Sequence, residues 1–399
     1  MTSRSSFRPE VRRALPVILA LKFAGNIASR MLFPFLPAIT KGTGLSEQAM
    51  GVIVFGRDLT GLAATEIGRR TVTFGNRRSM LLGASGLCAG LFLAALGPVG
   101  IVIGLIVFGF GRVTMQIGIQ SWIGDEVPFE RRARASGLIE TTWAAAAFIG
   151  IPVTGVLIEA FGWRAAFLLP AVLCLLTVTA LLRNESLRSS GGPAESPVDV
   201  PASSAPKVQW TTNMRATILT PAILQGAAIF LFFGHGFWLE DTYDFDASAI
   251  GFAVVAVGAA ELVASLGSSA ITDRIGKRVS ILAGTMIMTL GTVVLGLVDR
   301  PPLVIGLGLL VVIFFGFEFA IVSTIPLIAE LSPNARAHLI GYAVGTTTVA
   351  KALAGLASGF LFGWNGFGAL IVASVIASVS AFALTLTAVS EPEVSVNNL

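Results

Sequence analysis

About twenty residues of helix, rising 1.5 Å each, cross a hydrocarbon core near 30 Å, and inside it every backbone amide must find its partner within the chain. This sequence supplies that length of apolar residues over and over. Between charged, Pro/Gly and Ser/Asn punctuation the runs fall at approximately 14–36, 46–68, 79–97, 100–123, 134–159, 164–183, 216–238, 248–271, 279–298, 302–330, 337–361 and 366–389. The expectation is an all-α integral membrane protein with twelve transmembrane helices. Composition agrees: 54% hydrophobic and 13% charged residues, against roughly 45–50% and 25% in soluble proteins, exclude a soluble globular enzyme. Arg4, Arg8, Arg12 and Arg13 before the first run mimic a signal peptide, but Lys22 and Arg30 lie inside it and no small-residue cleavage site follows. It reads as a retained helix.

Cations set the orientation. With the N-terminus inside, cytoplasmic segments hold nineteen Lys and Arg residues and the outer loops three, Lys41, Arg164 and Arg300; the other five of the 27 lie in spans. That bias places both termini in the cytoplasm of a multi-pass protein of the cell membrane. The net charge of +4 is therefore topological, and nucleic acid is excluded as a partner. Cys88 and Cys174 sit in apolar runs and His235 and His338 lie far apart, so there is no disulfide framework and no metal spacing. No cofactor is implied.

Residues 184–213 are rich in Ser, Gly, Pro and Ala and read as a cytoplasmic linker between an N-terminal six-helix bundle, 1–183, and a C-terminal one, 214–399. The two sides repeat. Ser46 and Gly51 correspond to Asp246 and Gly251; Gly75, Arg77, Ser79, Leu81 and Gly83 to Gly276, Arg278, Ser280, Leu282 and Gly284; and Asp125, Pro128 and Arg131 to Glu330, Pro333 and Arg336. Each copy holds six spans, an even number, so both run in one direction about an axis along the membrane normal.

These features resemble the major facilitator superfamily of secondary transporters over nearly the whole chain. The family's loop motif G-x-x-x-D-R-x-G-R-R is expected after the second helix of each half. The first copy has Gly68 and Val72-Thr-Phe-Gly75-Asn-Arg77-Arg78, without the Asp; the second has Ser269 and Asp273-Arg274-Ile-Gly276-Lys-Arg278. The resemblance implies cytoplasmic gating by Gly75, Arg77, Arg78, Asp125, Asp273, Arg274 and Gly276, with Asp125 pairing Arg77 or Arg78 in place of the lost Asp. Phe33-Pro34-Phe35-Leu36-Pro37, Gly150-x-Pro152-x-x-Gly155 and Gly162-Trp163-Arg164-x-x-Phe167 look like the drug/proton antiporter branch, although Ile151 stands where that branch has Gly. Pro152, Gly150 and Gly155 equally suit a kinked packing seam.

Nine charges lie deep in the runs, away from the residues near their ends: Lys22, Arg30, Arg57, Asp58, Arg112, Glu140, Glu261, Glu318 and Lys351. Each left facing lipid costs roughly 3 kcal/mol, so most must face protein or water. Lys22, Asn26 and Arg30 share one face of helix 1, and Arg112, Gln116 and Gln120 one face of helix 4. In the family fold helices 1, 4, 7 and 10 line the central path, which implies substrate binding by Lys22, Asn26, Arg30, Arg112, Gln116 and Gln225. His235 reads as an interfacial polar residue.

The chain has no G-x-x-x-x-G-K-[ST] loop, so transport would draw on an ion gradient, protons being the simplest. A carboxylate in low dielectric takes a proton or a cationic partner in mutual exclusion. Asp58, Glu261 and Glu318 are the candidate carriers, with Lys351 their counter-charge. Four cations against Asp58 and Glu140 leave the first half at +2, which suits a small amphipathic substrate with an acidic group. The reading is a monomeric proton-coupled exporter working by alternating access. Symport uptake, lipid flipping and a non-transporting membrane sensor are the alternatives; an intramembrane enzyme lacks G-x-S-x-G and H-E-x-x-H.

Overall fold

The computed structural model describes residues 7–184, 187, 210–332 and 335–391, and these are helical almost throughout. Arg4, Arg188, Lys207, Pro333 and most of the expected linker lie outside the described residues. The helices are α1 (Pro9–Arg30), α2 (Leu36–Thr43), α3 (Glu47–Leu59), α4 (Ala64–Phe74), α5 (Asn76–Ala94), α6 (Pro98–Glu126), α7 (Phe129–Ala145), α8 (Ile151–Phe161), α9 (Ala165–Arg183), α10 (Thr212–Tyr243), α11 (Ala247–Ile275), α12 (Lys277–Leu297), α13 (Leu303–Glu330) and α14 (Arg336–Ala388). Eight stretches among the described residues are long and apolar enough to cross a membrane. The last, His338–Ala388, contains a break at Asn365 and Gly366, where the backbone leaves helical angles.

Local departures from the expected runs have covalent causes. The first run was expected to 36, but α1 ends at Arg30 and a turn precedes α2. Pro34 supplies no N–H and restrains the residue before it. In the fifth run, α7 passes into a π-helical turn, Ala146–Gly150, before α8. Pro152 cannot donate to the carbonyl of Phe148 and its ring crowds that oxygen, so the chain widens one turn earlier.

By contact the chain divides into two compact units. One comprises Met1–Ser46, Gly56–Val200 and Phe245–Val254; the other comprises Glu47–Phe55, Pro201–Asp244 and Val255–Leu399. In the first, α5 packs mainly on α6 and α9, and α1 on α9 and α7. In the second, α10 packs on α14 and α12 on α13.

The internal repeat reappears as geometry. Gly44 ends α2 and Asp244 ends α10, both in the left-handed region, at φ 70° and 52°. Gly75 and Gly276 join α4 to α5 and α11 to α12 at φ 84° and 95°, a conformation that costs a side chain and not glycine. Each turn is followed by a seam of backbone approach. A Cβ on Gly90 of α5 would lie 2.5 Å from the Gly104 carbonyl oxygen of α6, and one on Gly316 of α13 would lie 2.6 Å from the Met288 amide nitrogen of α12. Lipid offers no hydrophobic drive between helices, so such close packing holds these pairs together.

Arg77 donates to the carbonyls of Leu181 and Leu182 at 3.3 and 3.2 Å, and Arg278 to those of Thr385 and Leu386 at 3.3 and 2.6 Å. Each arginine thus ties the start of one helix to the orphan carbonyls ending the last helix of its unit.

Overpacking the seams tests this construction. Gly90→Ala and Gly316→Ala should each destabilise the purified protein by about 1–3 kcal/mol. Gly267→Ala, where a Cβ meets nothing within 4 Å, should be neutral or stabilising in the same thermal unfolding assay.

Candidate functional site

Polar side chains of α1, α3, α6 and α7 converge within the first unit. Lys22 is buried at 9% exposure and donates to the Gln116 side-chain oxygen of α6. One turn along α1, Asn26 is buried at 5% and donates to the Thr142 hydroxyl of α7 at 2.9 Å, and the Thr142 hydroxyl in turn donates to the Ile139 carbonyl at 2.6 Å. At the next turn the Arg30 guanidinium lies over the ring of Trp143, 4.5 Å from its centroid. The i, i+4, i+8 spacing therefore lays one stripe of α1 against α6 and α7.

The second stripe joins it. Arg112 of α6, half-buried, is within electrostatic reach of Asp58 and Arg57, and Lys22 within reach of Glu140 and Arg112. Arg57 and Asp58 form an ion pair at 2.9 Å with both side chains buried, and the Arg57 guanidinium also lies 5.5 Å from the Phe33 ring centroid. Asp58, expected among the proton-coupling acids, belongs to this cation network. The unit brings together Lys22, Asn26, Arg30, Arg112 and Gln116 of the expected binding set and adds Thr142 and Trp143, which the sequence reading did not single out. Glu140 three residues before Trp143 was the available signal, since i and i+3 share a helix face.

Gln225, Glu318 and Lys351 are half-buried in α10, α13 and α14 of the second unit, and Glu261 of α11 is buried at 6%. His235 is buried at 3%, donates from Nδ1 to the Phe232 carbonyl at 2.8 Å, and packs edge-on against Phe232 and Phe314. Ser268, Thr272 and Ser323 form a ring of hydroxyl contacts at 2.9–3.1 Å between α11 and α13, unforeseen in the sequence.

The two loops expected to gate differ between units. Asp125 was expected to pair Arg77 or Arg78; instead it accepts from the Asn76 amide at 2.7 Å, because Arg77 is committed to the end of α9. In the second unit Lys277 reaches Glu330 at 3.1 Å and Asp273 at 3.9 Å. Gly75 and Gly276 make the turns, and Arg78, Asp273 and Arg274 are exposed. The first loop has a neutral donor where the second has a cation between two carboxylates.

The model of the Major Facilitator Superfamily matches residues 18–325 and 236–398. An uncharacterized MFS-type transporter of Bacillus subtilis, YceJ, is 23% identical over 342 residues, 82% of this chain and 84% of that protein. A folate-biopterin transporter of Synechocystis is 28% identical over 268 residues, 63% of this chain and 52% of that protein, so the chain spans about half of that relative's length. Among solved structures, a mutant of the nucleoside transporter NupG superposes with a TM-score of 0.76 at 14% identity, covering 93% of this chain and 98% of that one. A bacterial homolog of the human lysosomal transporter Spinster, inward-facing and unoccupied, gives 0.71 at 14%, covering 96% and 95%.

The buried ion pair yields a stability test. Arg57→Met alone removes the hydrogen-bonded partner of buried Asp58 and should cost up to about 3–5 kcal/mol, whereas Arg57→Met with Asp58→Asn should recover a substantial part of it. Thermal unfolding in one detergent compares them; a double variant no more stable than the single one would remove the pair from the account.

Proposed function

The chain belongs to the Major Facilitator Superfamily, and from that premise we propose that it is a proton-coupled exporter of a small amphipathic organic molecule carrying an acidic group. Family membership makes it a multi-pass membrane protein of secondary transport and not an enzyme. The further reading is a monomer in the cell membrane with twelve crossings, both termini cytoplasmic, and two six-helix halves, 1–183 and 214–399, joined by 184–213.

The observation that carries the proposal is the cation excess of the first unit. Lys22, Arg30, Arg57 and Arg112 stand with Asp58 and Glu140, and Arg57 and Asp58 are already joined to each other. In a low-dielectric setting such an excess is stabilised by an anion, and a substrate carboxylate or phosphate at Lys22 and Arg112 supplies it. Asn26 and Gln116 hold the stripe in register and offer polar contacts, and Gln225 contributes from the second half. The relative named for folate and biopterin supports an organic solute.

Proton carriage falls to Glu261 and Glu318, with Lys351 as the single cation in the second half's runs and Asp58 as a subsidiary carrier. Protonation of an acid there and arrival of substrate bias the same two-state equilibrium, which is what alternating access requires. Gly75, Arg77, Arg78 and Asp125 in one half and Asp273, Arg274 and Gly276 in the other form the cytoplasmic gate, export direction being supported by the Gly150, Pro152 and Gly155 pattern.

Everted vesicles and reconstituted liposomes with an entrapped pH dye test both parts. Arg112→Ala should reduce acid-substrate accumulation at least tenfold, and Glu318→Gln or Glu261→Gln should abolish substrate-dependent proton movement. Full transport by Arg112→Ala removes the anion site, and unchanged proton movement in both Gln variants removes the carriers.

A further inference from the structure

Trp143 adds a feature that the cation stripe does not explain. Its indole lies on α7 next to Thr142, which is hydrogen bonded to Asn26, so this part of α7 is docked on the polar face of α1. One face of the ring is covered by the Arg30 guanidinium at 4.5 Å, yet the residue remains 42% exposed. Glu140, three residues earlier on the same helix face, is exposed as well. An ionised carboxylate in hydrocarbon costs roughly 3 kcal/mol, which favours water over lipid at the face that Glu140 shares with Trp143. A large flat ring, covered on one face by a cation and otherwise exposed, thus sits on a segment of α7 docked to the same α1 stripe that carries Lys22.

Resting on the function proposed above, we infer that Trp143 is a specificity-determining platform and that the substrate class is a planar aromatic acid: its anionic group meets Lys22 and Arg112 while its ring stacks on the indole face opposite Arg30. The chemistry selects the class. An indole face takes an aromatic ring in offset-stacked or edge-on geometry. Arg30 draws on the same π-system from the other side, which fixes the ring plane and lowers the ordering needed on binding. A saturated ring of equal size would gain apolar contact but not the stacked geometry.

Calorimetric binding to the full-length protein in lipid nanodiscs decides this, with 1-naphthoate, its saturated counterpart decahydronaphthalene-1-carboxylate, and 1-naphthylmethylammonium as probes. The expected result is that naphthoate binds about three- to tenfold more tightly than the saturated acid, that Trp143→Leu weakens naphthoate more than the saturated acid and so abolishes this preference, and that Trp143→Phe keeps it. The cationic probe should not bind. Equal affinities for the two acids in the parent protein, or a preference that survives Trp143→Leu, overturns the platform and leaves Trp143 as a cover for Arg30, with the anion site intact if Arg112→Ala still weakens both acids. Binding of neither acid, or binding indifferent to Arg112→Ala, overturns the platform together with the function on which it rests.

Discussion

Cations inside apolar spans need either protein partners or water, and the remaining organisation of this transporter's first unit follows from that need. Lys22 is met by Gln116, Asn26 by Thr142, Arg30 by the Trp143 ring and Arg57 by Asp58. These contacts draw α1, α6 and α7 together along one stripe. Four cations stand with two acids deep in this unit's spans, and that imbalance is what the proposed anion site rests on.

The chain builds the same scaffold twice. Left-handed helix ends at Gly44 and Asp244, left-handed turns at Gly75 and Gly276, and arginine ties from Arg77 and Arg278 all recur at nearly constant spacing. The copies then diverge where function can differ. Lys277 bridges two carboxylates, whereas its counterpart Asn76 reaches only Asp125 and Val72 has replaced the first acid. Asn76 gives its carboxylate a hydrogen bond in which only the acceptor is charged, whereas Lys277 meets two carboxylates as a full cation.

The helices and the repeat were legible in the sequence because both rest on local signals: apolar length, and glycines at positions that a Cβ cannot occupy. The polar stripes were legible for the same reason, since helical spacing alone puts Lys22, Asn26 and Arg30 on one face. Pairing was not. Asp125 and Arg77 look complementary in sequence, but Arg77 serves the carbonyls ending α9, more than a hundred residues away, and only tertiary structure brings that end near. The packing of His235 was likewise hidden, because Phe314, against which it lies, belongs to another helix. Trp143 was hidden by its apolar neighbours, Ala144 to Ala147, which made α7 read as ordinary span.

The claim on which the account stands is that the stripe joining α1 and α6 is wetted from at least one side of the membrane. Thiol accessibility measures this directly: Gln116→Cys in a background with Cys88 and Cys174 replaced by Ser, treated with a membrane-impermeant methanethiosulfonate in right-side-out and everted vesicles. Labelling at Gln116→Cys, but not at Leu82→Cys on the exposed apolar face of α5, is the result predicted. Gln116→Cys as inert as Leu82→Cys in both orientations would contradict it.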